Sequence, residues 1–278
     1  MKLRSLLFAP AVRPDLLRKL PNTGADAVAI DCEDGSPPNA KEEARQNALE
    51  IGAELVTDGR VAVYVRVNDF ETPWFADDVD HGLPRGIAGV IVPKIENPRQ
   101  LDNVGYALDN TGHGELHIIA GLETALGVLH SRELLHHSRV DAGYFGAEDF
   151  VADMGGKRSP SNLEVQYARS RIALAARADN VPVLDMVTVA FNDDRRFSRE
   201  AAEARAMGFT GKLCIHPSQV ALANAAFSPT PEEVDRAKAL IDAYAAAKDE
   251  GIGVIVFEGD MIDAALVAQA RRVVELAE

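Results

Sequence analysis

The chain has 278 residues, of which 47% are hydrophobic, and its 29 basic and 43 acidic side chains give a net charge of −14. This acidic balance disfavours binding to nucleic acid or to an anionic membrane, so we expect neither as a partner. Pro10 interrupts the apolar start, and no run of about 18 apolar residues follows, so neither a membrane span nor a signal peptide is predicted. The two distant cysteines, Cys32 and Cys214, indicate a reducing compartment, and we expect a cytoplasmic protein.

Eight short apolar runs rich in β-branched residues occur along the chain. They are Ser5–Ala9, Ala27–Asp31, Val61–Val67, Gly89–Pro93, Leu116–Leu122, Ala142–Phe145, Val181–Val187 and Lys212–His216. Segments with helical periodicity lie between most of them, including Ala40–Leu55, Glu164–Ala178 and Ser198–Met207. Strands that alternate with helices pair in parallel, and eight such units favour closure. We therefore predict an α/β fold, a (β/α)8 TIM barrel, for which about 250 residues is a typical length.

The chain continues beyond the eighth run. A turn rich in proline at residues 228–233 precedes a predicted helix from Pro231 to about Asp249. An extended or hairpin-like segment, Gly251–Gly259, and an amphipathic helix, Met261–Ala277, follow. The sequence thus predicts a barrel domain at residues 1–227 and a C-terminal helical lid extension at 228–278. This extension packs either on its own barrel or on a neighbouring subunit.

Two neighbouring apolar runs are followed by carboxylates. Glu123 comes directly after the fifth run, and Asp149 comes shortly after the sixth. The carboxyl ends of barrel strands meet at one mouth, where the active sites of such barrels lie. Carboxylate oxygens without a competing cluster of Cys and His favour Mg2+. The alternative for each acid taken alone is that it caps the helix that follows.

Further charged residues are predicted at the same mouth. Arg66 ends the third run and is suited to bind a substrate carboxylate through two parallel hydrogen bonds. Its alternative is a structural ion pair with Asp31 or Glu33. These two acids and Asp34 either orient waters around the metal or cap helices. Lys94 is expected to form an ion pair at the end of its strand rather than to act directly in catalysis.

Eight motifs in order along the chain carry a resemblance to a known family. They are Arg4-Ser5-Leu6-Leu7-Phe8-Ala9-Pro10, Asp31-Cys32-Glu33-Asp34, Val65-Arg66-Val67-Asn68, Pro93-Lys94, Glu123-Thr124, Phe145-Gly146-Ala147-Glu148-Asp149, Gly211-Lys212-Leu213-Cys214-Ile215-His216-Pro217 and Gly259-Asp260-Met261-Ile262-Asp263. Over essentially its whole length, the chain resembles the HpcH/HpaI aldolase/citrate lyase family, in its citrate lyase β-subunit (CitE-like) branch.

The resemblance implies a Mg2+-dependent enzyme that makes or breaks a carbon–carbon bond beside a thioester of CoA or of an acyl carrier protein. By position, Glu123 and Asp149 would hold the metal, and Arg66 and Glu123 would contact the substrate. Arg66 and Asp263 would be catalytic. Asp263 would be contributed by an adjacent subunit and would act on the acetyl methyl group. The nearby Asp260 remains an alternative to Asp263. The resemblance also implies a homotrimer or hexamer in which the lid is exchanged between subunits.

Several functions compete at this point. The first is a stand-alone lyase that cleaves malyl-, citramalyl- or citryl-CoA to acetyl-CoA and a small oxo-acid, or runs the reverse condensation. The second is the β subunit of a multi-component citrate lyase, which cleaves citryl-acyl-carrier-protein to an acetyl thioester and oxaloacetate. The third, from another class, is a non-catalytic barrel that binds a CoA thioester or a protein. A barrel acting on phosphorylated acids similar to phosphoenolpyruvate is a fourth. The sequence does not select the acyl group.

Overall fold

The protein is described by a computed structural model that covers residues 2–277. Eight strands form a closed parallel barrel in which each strand pairs with the next and β1 pairs with β8. They are β1 Ser5–Pro10, β2 Ala27–Asp31, β3 Ala62–Arg66, β4 Gly89–Val92, β5 His117–Leu122, β6 Val140–Phe145, β7 Val183–Asp185 and β8 Gly211–Cys214. Each strand falls on one of the eight predicted runs, so the predicted TIM barrel is confirmed.

Helices connect and follow the strands. They are α1 Pro14–Leu17, α2 Lys41–Asp58, α3 Phe75–His81, α4 Pro98–Asn110, α5 Ala125–Leu129, α6 Ser131–Leu135, α7 Ala147–Asp153, α8 Gln166–Asp179, α9 Asp194–Met207, α10 Pro217–Ala226, α11 Pro231–Asp249 and α12 Ala264–Ala277. Short 3-10 turns lie at Leu20–Asn22, Pro38–Ala40 and Leu163–Val165. Within the described residues, no helix is both long and apolar enough to cross a membrane.

The strands are continuous apolar runs because helices and the barrel interior bury both of their faces. Every residue of β2 and of β4 is buried, which is typical of parallel strands. Inward-facing side chains such as Leu6, Ile91 and Ile119 form the core of the barrel. Cys32 and Cys214 are both free and buried, as small core residues.

The predicted start of one helix was wrong. Ser198 was expected to begin the helix before β8, but α9 begins at Asp194. The side chain of Asp193 accepts a hydrogen bond from the backbone nitrogen of Arg196 at 2.9 Å. This cap satisfies an otherwise unpaired donor of the first turn and extends the helix toward its N-terminus.

A buried ion network holds the loop after β7. The ammonium of Lys212, which is fully buried, donates to the carbonyl of Met186 at 2.7 Å and to Asp185 at 3.1 Å. Arg169 donates to both oxygens of Asp185 at 2.9 and 3.0 Å. Asp185, at the end of β7, is thus held by two buried cations. The hydrogen bond from Lys212 to Met186 fixes the backbone just before Val187, at the mouth of the barrel.

Contacts divide the chain into two compact units, one ending at Asn224 and the other beginning at Ala225. In the second unit, α11, α12 and an antiparallel hairpin of β9 Ile255–Phe257 and β10 Asp260–Ile262 surround a small apolar core. The predicted helix ending at Asp249 is confirmed, whereas the last helix begins at Ala264 rather than Met261 because Met261 lies in β10. The predicted domain boundary between residues 227 and 228 stays a prediction.

Candidate active site

Glu123 is buried at the carboxyl end of β5. It is 1% exposed, and its Oε1 accepts hydrogen bonds from the backbone nitrogen of Lys94 at 2.9 Å and from the hydroxyl of Tyr144 at 3.0 Å. The cap of the following helix is Thr124, whose side chain accepts from Gly127. Because Thr124 already caps α5, the capping alternative does not apply to Glu123, and another role must account for its burial.

The second carboxylate oxygen of Glu123, Oε2, lies against the backbone of Gly146. A Cβ at residue 146 would stand 2.0 Å from Glu123 Oε2 and 2.6 Å from its Cβ, so only glycine fits there. Both hydrogen bonds that the described residues donate to this carboxylate go to Oε1. Oε2 therefore keeps its lone pairs for another ligand.

Lys94 connects the two predicted metal ligands. Its backbone adopts the left-handed region, with φ of 53°, which is rare for a residue with a side chain and is concentrated at functional sites. This conformation accompanies the hydrogen bond from its backbone nitrogen to Glu123. Its ammonium forms an ion pair with Glu33 and lies 3.7 Å from Asp149 Oδ1. The predicted ion pair of Lys94 is confirmed. Glu123 and Asp149 both contact Lys94, the first at its backbone nitrogen and the second at its ammonium.

Asp149 lies in the first turn of α7, where a carboxylate interacts favourably with the helix dipole. It makes no capping hydrogen bond to that helix among the contacts of residues 2–277, and its ion-pair partner there is Lys94. The helix dipole therefore explains why an acid occurs in this first turn. The charge of Lys94 explains why the side chain of Asp149 faces the mouth.

Arg66, at the end of β3, forms ion pairs with Asp31 and Glu33, which the sequence had left as the alternative to substrate binding. Its Nε and Nη2 each donate to one oxygen of Asp31 at 2.7 Å. Its Nη1 lies 2.9 Å from Glu33 Oε2, a buried oxygen for which the described residues provide no aligned hydrogen bond. The guanidinium also stacks over the ring of Phe8, 5.0 Å from its centroid. Substrate binding by Arg66 stays a prediction, and the pairing with Asp31 and Glu33 holds the guanidinium in a fixed orientation.

The electrostatics of the mouth favour an added cation. Burial, followed by the charges of Glu33 and Asp149, raises the pKa of Glu123 to about 7. Burial likewise raises the pKa of Glu33, although Arg66 and Lys94 oppose the shift. Burial alone would also raise the pKa of Asp31, but the charge and hydrogen bonds of Arg66, together with backbone hydrogen bonds from Glu33 and Gly35, outweigh it, and the pKa is lowered. The burial of Glu123 is thus not offset by the neighbouring cations Arg66 and Lys94.

The residues present fit Mg2+. Apart from the exposed Asp34, two cations, Arg66 and Lys94, face four carboxylates, Asp31, Glu33, Glu123 and Asp149. A hard divalent cation prefers such oxygen ligands, and the free Oε2 of Glu123 offers one. Among residues 2–277, no three His, Cys, Asp or Glu side chains form a complete metal-binding set. Waters and substrate oxygens would therefore have to complete a six-coordinate shell.

A cavity of about 210 Å³ opens beside Arg66. It is lined by Phe8, Pro10, Asp31, Arg66, Tyr144, Val187, Leu213 and Ile215. Tyr144 was missed by reasoning from the sequence, although its hydroxyl donates to Glu123 and the residue lines the cavity. The available signal was its place in β6, where alternation turns its side chain into the barrel.

Asp263 and Asp260 lie in the second unit. Asp263 is exposed, and its Oδ1 accepts from the backbone nitrogens of Ala265 and Leu266 at 3.0 and 3.1 Å, so it caps α12. Asp260 is exposed and lies 3.7 Å from Arg236. Asp263 is thus anchored to a helix end, whereas Asp260 belongs to a surface ion pair. The catalytic role of Asp263 stays a prediction.

Comparison with known proteins identifies the family. The family model for HpcH/HpaI aldolase/citrate lyase matches residues 4–217. The chain belongs to the HpcH/HpaI aldolase/citrate lyase family. The predicted family is therefore confirmed, and with it the prediction of an enzyme of the carbon–carbon lyase class.

Two relatives are similar to this chain over almost its whole length. A citrate lyase subunit beta-like protein from Deinococcus radiodurans is 47% identical over 97% of this chain and 95% of its own. The human mitochondrial citramalyl-CoA lyase is 32% identical over 99% of this chain and 85% of its own. The similarity therefore includes both units of the chain.

A solved structure in the family is also similar throughout. It is the CitE protein of Mycobacterium tuberculosis in complex with magnesium, acetoacetate and coenzyme A, at 29% identity and a TM-score of 0.81. The similarity covers 98% of this chain and 97% of that one. The ion held by this relative is the cofactor that the sequence predicted, Mg2+.

Proposed function

We propose that this family member is a Mg2+-dependent carbon–carbon lyase acting on a hydroxyacyl-CoA thioester of the malyl-, citramalyl- or citryl-CoA type. It would release acetyl-CoA and an oxo-acid, or catalyse the reverse condensation. The observation that carries the proposal is the convergence of Glu123 and Asp149 on Lys94, next to the paired Arg66 and its cavity. Glu123 Oε2 and Asp149 would hold the ion.

Mg2+ bound at these oxygens supplies a Lewis acid for the carbonyl or hydroxyl oxygen of the reacting acid. Arg66 binds the carboxylate of that acid, with its guanidinium already oriented by Asp31 and Glu33. Tyr144 and the backbone nitrogen of Lys94 hold Oε1 of Glu123, which would leave Oε2 available to the metal ion. The side chain of Lys94 keeps Asp149 close to Glu123.

We further propose that Asp263 exchanges the proton of the acetyl methyl group. In the condensing direction its carboxylate takes this proton, the enolate carbon attacks the oxo-acid carbonyl, and the resulting alkoxide takes a proton from water. Cleavage reverses these steps. We propose that Asp263 comes from a neighbouring subunit of a homotrimer or hexamer, with residues 228–278 acting as the exchanged lid. The exposure of Val256 and Met261, at 78% and 70%, supports a contact surface on the second unit.

We propose the cytoplasm as the compartment. The support is the pair of free, buried cysteines, which a reducing environment keeps as thiols.

The test is an assay with three thioesters. Purified protein with Mg2+ is incubated with malyl-, citramalyl- and citryl-CoA, and the released oxo-acid is measured as its phenylhydrazone while free thiol is measured separately. We expect oxo-acid without free thiol from at least one substrate, because carbon–carbon cleavage leaves the thioester intact. Glu123→Gln should lower the rate by at least about 100-fold. Glu133→Gln, on the exposed surface of α6, is the matched control.

The absence of oxo-acid from all three, with folding confirmed by circular dichroism, would contradict the proposal. Activity on citryl-acyl-carrier-protein in the same assay would instead identify the β subunit of a multi-component citrate lyase.

A further inference from the structure

The charged and apolar residues of the mouth lie on different arcs of the barrel. Charged side chains follow β2 to β6, from Asp31 through Arg66 and Glu123 to Asp149. Apolar side chains lie on or directly after β7, β8 and β1, which are neighbours in the closed barrel. This apolar arc consists of Phe8, Val187, Leu213 and Ile215, and all four line the cavity. A molecule held at the metal and Arg66 would therefore extend against an apolar surface.

The cavity has little capacity for a second negative charge. Arg66 is the one cation among the described residues that line it. That cation is already paired with Asp31 and Glu33. One substrate carboxylate can share the guanidinium and the metal, but a second would meet the apolar arc or approach Asp31. An unpaired carboxylate moved from water into such surroundings is strongly disfavoured.

We propose that the oxo-acid accepted here carries one carboxylate and a short apolar substituent, as pyruvate does, and that dicarboxylic oxo-acids such as oxaloacetate are rejected. This inference rests on the proposed function and narrows it to one substrate class. A methyl group on the carbonyl carbon lies against the apolar arc, while the carboxylate and carbonyl oxygens face the charged arc. The cavity of about 210 Å³ suits a small acid.

The kinetic test compares two thioesters that differ in the second carboxylate. Citramalyl-CoA yields pyruvate and citryl-CoA yields oxaloacetate, and both are assayed with Mg2+. We expect kcat/KM to be at least about tenfold higher for citramalyl-CoA. Equal values, or a preference for citryl-CoA, would overturn the inference while leaving the proposed lyase function intact. If neither is cleaved, the proposed function fails, and binding decides the inference separately.

The binding test uses calorimetry of the Mg2+-loaded protein with pyruvate and with oxaloacetate. We expect pyruvate to bind at least about tenfold more tightly. Ile215→Arg adds a cation to the apolar arc at a partly exposed position, and Ile215→Met is the neutral control. The arginine variant should shift the ratio of the two affinities toward oxaloacetate by about tenfold or more, and the methionine variant should not. An unshifted ratio in Ile215→Arg would overturn the assignment of selectivity to this arc.

Discussion

Gly146 and Glu123 approach each other so closely that a side chain at residue 146 would occupy the space beside Glu123 Oε2. Gly146→Ala should therefore displace this carboxylate and lower kcat/KM by about 100-fold, because small shifts of a catalytic group have effects of this size. Steady-state kinetics with Mg2+ measures it. Gly253→Ala is the control, since a Cβ there meets nothing within 4 Å. Wild-type activity in Gly146→Ala would show that Oε2 is not a ligand.

The affinity for Mg2+ should depend on pH through Glu123. Because its pKa is raised to about 7, Mg2+ has to displace a proton at lower pH, and the dissociation constant should rise about tenfold per pH unit below 7. The raised pKa also means that Glu123 contributes stability at low pH that is lost as the pH rises through about 7. Thermal unfolding at pH 5.5 and 8, with and without Mg2+, should show the larger rise in Tm at pH 8. Equal rises at both pH values, or a Mg2+ response in Glu123→Gln, would contradict this.

Tyr144→Phe removes the hydroxyl that donates to Glu123 Oε1. The affinity for Mg2+ should fall about tenfold, because groups that orient a metal ligand typically contribute factors of this size. Calorimetric titration with MgCl2 measures the change. Tyr106→Phe is the control, since Tyr106 is 70% exposed and outside the site. If both variants bind Mg2+ as wild type does, Tyr144 has no role in orienting Glu123.

Arg66→Lys keeps the charge but loses the fork on Asp31. The free energy of unfolding should fall by about 1–3 kcal/mol, because the buried carboxylate of Asp31 then lacks one of the two hydrogen bonds that Arg66 donates to it. Urea unfolding measures the loss, and KM for the thioester should rise as well. Arg60→Lys, which alters an exposed pair with Asp58, should leave stability unchanged. An effect of equal size in both variants would refute a special role for the buried fork.

Mixing two inactive variants tests the exchanged lid. Asp263→Asn inactivates the lid and Glu123→Gln inactivates the barrel, so a mixed oligomer with exchanged lids contains some sites with both groups intact. After co-expression, we expect about one quarter of wild-type activity if the subunits assemble at random. Neither variant alone should regain activity. Failure of the mixture, with mixed oligomers confirmed by mass spectrometry, would show that Asp263 serves its own barrel or none.

The sequence predicted the repeating part of the fold. Runs such as Ala27–Asp31 are wholly apolar because a parallel strand is buried on both faces, and this burial is written directly in the residue types. The strand ends also placed Glu123 and Arg66 at one mouth, since the barrel brings all carboxyl ends together. The order of the motifs along the chain also predicted the family, and the match over residues 4–217 confirmed it.

Other features depended on atoms that meet only after folding. Whether Arg66 pairs with Asp31, whether Lys94 turns its backbone toward Glu123, and which side chains line the cavity all involve residues far apart in the chain. Such contacts follow from the register and closure of the barrel, and periodicity carries no information about them. The sequence alone therefore determined that Glu123 and Arg66 reach the mouth. Only the tertiary structure decided which charged groups pair, because burial and distance set the charge interactions that shift the pKa of Glu123. The fold also leaves Arg66 as the one cation among the described residues that line the cavity.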